Sequence, residues 1–431
     1  EIPLRLVGSE MCIRDRNGDN DMRFNTALLH GDFRGDKNTG ATQTPIYQSS
    51  AFEHASAETL EKIFNNMAPG FSYSRISNPT IEAFEKRMTV LEGGVASVAC
   101  SSGMAAITNA FTNILQSGDE IVCSASLYGG SIDLFRDLES FGIKTHYVNN
   151  NDVEQFRAAT NENTKLYFAE TIGNPRLDVT DIRLIADEAH RAGVPFIVDN
   201  TVATAYLIKP IEYGADIVVN STSKYVNGNS NSISGVITDS GNFKWDIIKY
   251  PGMKDFKKYG PYAYTAKLRN GIYRNTGACL SPQNAFYNIL GMETLGIRME
   301  RVCSNAMILA KYLNDNYGNL SVNYPGLENS EFYNIAKKEL NNGFGGIITI
   351  RTGSKEKAFK FINALQIPLN VSNIGDTKTL VIHPSSTISA HSTEEEKKIA
   401  GVYDDLVRIS VGIEDVQDLI EDFTQALKAA N

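Results

Sequence analysis

The stretch Asp181-Ile182-Arg183-Leu184-Ile185-Ala186-Asp187-Glu188-Ala189-His190-Arg191-Ala192-Gly193-Val194-Pro195-Phe196-Ile197-Val198-Asp199-Asn200 decides the fold. Ile182, Ile185, Ala186 and Ala189 recur at the three- and four-residue spacing of one helix face, and Gly193 closes the pattern. The run after it is apolar, partly β-branched and too short for a buried helix, so it reads as a strand. The same step repeats in both directions. Short apolar runs fall at Val95–Ala99, Glu120–Cys123, Thr145–Val148, Leu166–Ala169, Pro195–Val198, Ile217–Asn220 and Gly235–Thr238, with helical patterns between them. This alternation predicts an α/β fold: a largely parallel sheet with helices on both faces. In such sheets ligands bind beyond the carboxyl ends of the strands.

Two charged residues stand at those ends. Asp199 closes one run, and Lys224 follows another in Asn220-Ser221-Thr222-Ser223-Lys224-Tyr225. Taken singly, each has a plain reading: a lysine at a strand end is usually on the surface, an aspartate there usually caps a helix, and loop serines are common. The combination is more specific. A lysine that carries pyridoxal phosphate as a Schiff base needs a carboxylate to keep the pyridine nitrogen protonated. It also needs hydroxyls and backbone N–H groups around the phosphate. Ser221 and Ser223 offer hydroxyls. Cys100-Ser101-Ser102-Gly103-Met104-Ala105-Ala106 is a strand–small-residue loop–helix unit whose free N–H groups suit an anion, although many such turns use Ser and Gly for geometry alone. These features point to an amino-acid enzyme.

Three further residues are candidates. Arg75, in Tyr73-Ser74-Arg75-Ile76-Ser77-Asn78-Pro79-Thr80, is either a phosphate ligand or an exposed loop arginine. Tyr128, in Tyr128-Gly129-Gly130-Ser131, could stack on a flat ring or be a half-buried loop aromatic. Arg408, in Val407-Arg408-Ile409-Ser410-Val411-Gly412, sits in a strand-like alternation and either snorkels to water or binds a carboxylate.

Bulk properties bound the alternatives. The 431 residues allow two domains with large cores, and 42% hydrophobic with 21% charged residues is ordinary for a globular protein. A net charge of −9 argues against a broad nucleic-acid surface, and no apolar run is long enough for a membrane span. The five widely spaced cysteines, with no Cys-x-x-Cys, fit free thiols in a reducing cytoplasm. No histidine pattern indicates a metal. No Gly-x-Gly-x-x-Gly follows a strand, which argues against a nicotinamide dehydrogenase.

Residues 1–21 show no helix or strand period and read as a poorly ordered, non-native extension ahead of Met22. Residues 22–80 read as an irregular arm reaching towards a second subunit. The stretch 81–285 is expected to form a large domain, with a Gly-, Lys- and Tyr-rich connection at 240–280. A smaller C-terminal α+β domain is expected over 286–431, entered by a long helix at about Asn284–Tyr317 and ended by an amphipathic helix at about Val416–Ala430.

Together the motifs resemble the Cys/Met-metabolism family of pyridoxal-phosphate enzymes, of the aspartate aminotransferase fold type, from about Asn25 to the C-terminus. Within it the chain is most similar to the O-acetylhomoserine sulfhydrylase branch. The stretches that carry this are Thr44-Pro45-Ile46-Tyr47-Gln48-Ser49-Ser50-Ala51-Phe52, Ala169-Glu170-Thr171-Ile172-Gly173-Asn174-Pro175, Gly277-Ala278-Cys279-Leu280-Ser281-Pro282-Gln283-Asn284-Ala285-Phe286 and Asn373-Ile374-Gly375-Asp376-Thr377-Lys378-Thr379-Leu380-Val381-Ile382-His383-Pro384. Cystathionine lyases and synthases usually show Leu-Gly-Gly where this chain has Asn373-Ile374-Gly375-Asp376.

The resemblance implies a seven-stranded sheet in the large domain and a role for each matching residue. Lys224 would carry the cofactor and move protons; Asp199 would hold the pyridine nitrogen. Ser102, Gly103, Met104, Ser221 and Ser223 would bind the phosphate, joined by Tyr73 and Arg75 of a neighbouring subunit. Tyr128 would stack on the ring and assist the leaving group, and Asn174 would contact the phenolic oxygen. Arg408 would grip the substrate carboxylate beside the backbone near Ser372, with Tyr73 also on the substrate side. A dimer would be the active unit, within a tetramer. The implied reaction is γ-replacement on O-acetyl-L-homoserine by sulfide or a small thiol. Cystathionine γ-synthase, a γ-lyase and a non-catalytic relative are the alternatives. Two departures stand out: Asn229 replaces a histidine usual after the lysine, and Ile388 replaces a common threonine.

Overall fold

The computed structural model describes residues 22–31, 35–36 and 39–430, so the extension expected at residues 1–21 lies outside the described residues. The seven apolar runs form one sheet of β1 (Ala96–Cys100), β2 (Glu120–Ser124), β3 (Lys144–Val148), β4 (Thr164–Glu170), β5 (Phe196–Asp199), β6 (Ile217–Asn220) and β7 (Gly235–Asp239). Their spatial order is β1-β7-β6-β5-β4-β2-β3. Strands β2 to β6 pair in parallel, and β7 runs antiparallel to both β6 and β1. Both faces are covered. Phe196 and Val198 enter one core while Ile197 enters the other, as the two-residue period of a strand requires. That is why the inner runs are apolar without alternation, whereas the edge strand β3 exposes Lys144 and Tyr147.

A second sheet contains β8 (Ser321–Asn323), β9 (Ile347–Arg351), β10 (Leu369–Asn370), β11 (Leu380–Ile382) and β12 (Leu406–Ser410), ordered β10-β11-β12-β9-β8. Phe361 of the helix Lys355–Ala364 and Phe423 of the helix Val416–Ala430 pack on it in a separate core. The amphipathic C-terminal helix therefore has the expected bounds.

Three expectations need correction. The stretch 22–80 is not irregular throughout: it holds α1 (Phe24–His30) and α2 (Ala57–Phe64), and α3 (Pro79–Glu92) begins inside it. Ser56 caps α2 by accepting from the Thr59 N–H, a local bond that forms a helix despite the polar surroundings. The connection at 240–280 contains the helices Ala263–Asn270 and Ile272–Thr276. The long helix expected at Asn284–Tyr317 is two helices, Pro282–Glu293 and Leu295–Asn316, which part at Thr294. There the Thr294 N–H turns back to Gly291 C=O, and no proline marks the break.

Helix α3 braces the strand that leads into the helix α4 (Gly103–Thr112). Glu85, 3% exposed, accepts the Ala99 N–H of β1 at 2.8 Å and Arg269 Nη2 at 2.6 Å. Removing Glu85 takes a buried carboxylate from the Arg269 pair and the acceptor from the Ala99 N–H. Glu85→Ala should lower stability by about 3–5 kcal/mol in denaturant unfolding. A loss below about 1 kcal/mol would mean the pair behaves like a surface one.

Candidate active site

The carboxyl ends of β4, β5 and β6 meet α4 in a cleft of about 420 Å³. Eleven of the residues expected at the site line it: Ser102, Gly103, Met104, Tyr128, Asn174, Asp199, Ser221, Ser223, Lys224, Ser372 and Arg408. Tyr73 and Arg75 do not. Both are exposed on the surface of this chain, with the Arg75 guanidinium 5.4 Å from the Tyr73 ring and donating to Arg274 C=O at 2.7 Å.

One end of the cleft suits an anion. Ser102 caps α4 by accepting the Ala105 N–H, and Gly103 is the first helical residue. A Cβ at Gly103 would lie 2.5 Å from Ser221 Cβ, so only glycine lets this helix end approach the turn after β6. The first-turn N–H groups and the helix dipole favour negative charge there. Ser223 Oγ donates to Ser234 C=O at 3.0 Å and accepts the Ser234 N–H at 2.8 Å, so its hydroxyl also shapes the turn.

The other side carries acids. Asp199 ends β5 and accepts the Thr201 N–H at 2.9 Å, while Thr201 Oγ1 accepts the Ser221 N–H at 2.7 Å. Thr201 thus ties the acid to the anion end. Glu170 ends β4 directly beside Asp199 in the ladder, and it accepts the Tyr128 N–H at 2.5 Å. That bond sets Tyr128 at the start of the helix α5 (Gly129–Glu139), with its ring at the cleft. Burial, and then the Asp199 charge, push Glu170 well above the carboxylate range.

The cations have no such partners. Arg408, 3% exposed on β12, donates from Nη1 to Asn174 Oδ1 at 3.2 Å and from Nη2 to Asn373 C=O at 3.1 Å. Its Nε is buried without a partner. Among the described residues no carboxylate pairs with Arg408 or Lys224. Burial lowers Arg408 to about 10. Burial, and then the Arg408 charge, lower Lys224 to about 8. Lys224 lies in the turn beyond β6, with Nζ donating to Asn373 Oδ1 at 2.5 Å.

Glu170, Thr201, Asn373 and Ser230 were not singled out as site residues from sequence. The signal for Glu170 was available, since it ends an apolar run as Asp199 does. Thr201, two residues past Asp199, could have been found as a local acceptor for the next strand end. Nothing local marks Asn373 or Ser230.

These features together fit pyridoxal phosphate: a lysine of lowered basicity, an acid at a strand end of the same cleft, an N-terminal helix turn for a phosphate, and a buried arginine with an unmatched donor. The chain belongs to the Cys/Met metabolism PLP-dependent enzyme family, whose model matches residues 25–428. It is 40% identical to a homocysteine synthase of Schizosaccharomyces pombe over 94% of this chain and 98% of that one. It is 41% identical to an O-acetyl-L-homoserine sulfhydrylase of Corynebacterium glutamicum over 95% and 97%. Among solved structures, a presumed O-acetylhomoserine (thiol)-lyase of Campylobacter jejuni, containing N′-pyridoxyl-lysine-5′-monophosphate, superimposes with a TM-score of 0.90. It is 32% identical, over 94% of this chain and all of that one.

The acid end has a measurable cost. Burial pushes Asp199 up to about 6, against the opposing pull of the Thr201 bonds. A carboxyl raised in the folded state contributes stability below its unfolded pKa and loses it as pH rises through the folded value. In protein stripped of cofactor, Asp199→Asn should therefore be more stable than the parent at about pH 8, by about 1–3 kcal/mol. The gap should close by about pH 4. Urea unfolding at both pH values measures it; a pH-independent gap would contradict burial as its origin. The same variant should retain the cofactor more weakly.

Proposed function

We propose that the chain catalyses γ-replacement on O-acetyl-L-homoserine: acetate leaves the γ-carbon and sulfide takes its place, giving L-homocysteine. A small thiol such as methanethiol would give methionine. The observation that carries this reading is a buried Arg408 without a carboxylate, in the cleft that holds Lys224 and Asp199. Such an arginine calls for a carboxylate ligand, which every α-amino acid provides. The choice of ester and acceptor is supported by the names of the relatives and by Asn373-Ile374-Gly375-Asp376, where lyases and synthases usually differ.

Bound pyridoxal phosphate supplies an electron sink for the substrate's α-carbon. Asp199 holds a proton on its ring nitrogen. The first turn of α4, with Ser221, holds its phosphate. Asn174 is the candidate for its phenolic oxygen. Arg408 orients the substrate carboxylate and so places the α-carbon near Lys224. Lys224 Nζ, lowered to about 8, is neutral in a useful fraction near pH 7, so it can accept the α-proton and return it. Tyr128, Ile388 and Val202 line the cleft and supply apolar walls that limit water.

The active unit in this reading is a dimer, within a tetramer. Tyr73 and Arg75, exposed and outside their own chain's cleft, would complete the phosphate site of a second copy. No described helix is long and apolar enough to cross a membrane. The free described cysteines agree with a cytoplasmic setting.

The direct test is an absorbance spectrum with pyridoxal phosphate, then O-acetyl-L-homoserine plus sulfide with homocysteine assayed. Lys224→Ala should abolish both the cofactor band and turnover. Arg408→Ala should raise KM by the loss of a charge-assisted pair, about 1.5–3 kcal/mol. A band without homocysteine would favour a lyase or a synthase, and an unchanged KM would remove Arg408 from substrate binding.

A further inference from the structure

The bond from Lys224 Nζ to Asn373 Oδ1 is the first of a chain. Asn373 Nδ2 donates to Ser230 Oγ at 2.9 Å, and Ser230 Oγ donates to Asp376 Oδ2. The far end fixes the direction. A carboxylate only accepts, so the single Ser230 proton goes to Asp376. The Ser230 oxygen then acts as an acceptor, and only the Nδ2 side of Asn373 can meet it. The Asn373 oxygen must therefore face Lys224. Burial alone would raise Asp376, but the Ser230 bond and the bonds from Lys378 outweigh it, and the carboxyl stays below its usual value.

The backbone is shaped to make this contact. Ser230 holds φ at 54°, a left-handed conformation that disfavours a side chain. Gly375 has φ 73°, and a Cβ there would lie 2.6 Å from the Tyr225 nitrogen, so glycine lets the 373–376 turn close onto the lysine's own turn. The Asn373 carbonyl also accepts from Arg408 Nη2 at 3.1 Å. One residue thus touches both cations of the cleft.

We propose that Asn373 holds the Lys224 amine whenever that amine is not joined to the cofactor, and that Ser230 and Asp376 are positioning residues that fix the Asn373 amide. The inference rests on the assignment of Lys224 as the cofactor lysine. The reaction class requires the amine to part from the cofactor in each turnover, move protons and return. An amide oxygen can hold one N–H of a neutral amine and leave its lone pair free to accept a proton.

Ser230→Gly separates this role from a structural one, because glycine suits the left-handed backbone and the short side chain is lost together with its hydroxyl. In the holoenzyme, kcat with O-acetyl-L-homoserine and sulfide should fall about fivefold, as expected for one lost hydrogen bond. KM should stay within about twofold and the melting temperature should hold or rise. Asn373→Ala should lower kcat at least as far, and the double variant no further than Asn373→Ala alone. A second readout is the rate at which stripped protein captures pyridoxal phosphate on Lys224, trapped with borohydride and counted by mass spectrometry; both variants should slow it. Unchanged kcat and capture in both variants would overturn the relay, as would a kcat loss that tracks a lower melting temperature in Ser230→Gly. If the parent protein captured no pyridoxal phosphate at Lys224, the functional assignment would fall first and the relay with it.

Discussion

The Glu92 carboxylate is the tie on which the cleft depends. It ends α3, is 1% exposed, and accepts Asn220 Nδ2 at 2.8 Å and Asn200 Nδ2 at 3.2 Å. Asn220 is the last residue of β6, and Asn200 directly succeeds Asp199 of β5. A single acid therefore sets the carboxyl ends of two adjacent strands. The site begins at those ends, where Thr201 bonds Asp199 on one side and Ser221 on the other. Asn200 Oδ1 also accepts from Thr171 Oγ1, which brings in the end of β4. Burial pushes Glu92 up to about 7, with the two asparagine bonds pulling it down. A neutral amide pair makes this tie, and the Lys209 charge adds a smaller downward pull on the acid.

The arrangement separates charge within the cleft. Asp199 and Glu170 stand side by side at strand ends of the large sheet, both raised by burial. Lys224 and Arg408 line the same cleft from the next turn and from the second sheet, both lowered by burial. Neither cation pairs with either acid. Left to themselves such groups would relax into ion pairs, which are worth far more in a desolvated setting than at a surface. They are kept apart because each is fixed by neutral partners: Thr201, the Tyr128 N–H, Asn174 and Asn373. Fixed dipoles of this kind need no rearrangement when charge develops, which is where preorganised sites gain.

Much of this was legible in sequence, for identifiable reasons. A strand buried on both faces must be apolar throughout, so the inner runs of the large sheet stood out, and their ends located Asp199 and Lys224; the edge strand β3, with Lys144 and Tyr147 exposed, does not follow that rule. The helix break at Thr294 left no proline and no lapse in apolar spacing to read. Helices α1 and α2 lie in a polar, glycine-containing stretch, where the Ser56 cap acts locally against a composition that suggests loop. Glu170 matters because the parallel register sets it opposite Asp199, and register is a property of two strands rather than one. Asn373 meets Lys224 across 149 residues of chain, through the closure of one sheet's turn onto another's. Family resemblance supplied Asn174 and Ser372, which no local pattern distinguishes.

The most visible departure from the family pattern, Asn229 in place of histidine, is resolved by the same geometry. Asn229 is exposed and does not line the cleft. Its side-chain amide donates to Asn227 C=O at 3.2 Å and its backbone N–H to Asn227 Oδ1 at 3.1 Å, which closes a local turn. That turn is pinned on both sides: Gly228 N–H donates to Lys224 C=O at 2.8 Å, and Thr377 N–H donates to Gly228 C=O at 2.9 Å. With residues 227–229 held in this way, the chain delivers Ser230, not residue 229, to the partners of the lysine. A histidine at 229 would add a group that titrates near neutral pH at the rim of the loop; asparagine removes that titration and keeps the bonds that shape the turn. The part of the loop that reaches Lys224, through Asn373, depends on the direction of the backbone after Gly228 and on the Ser230 hydroxyl, not on the side chain at 229.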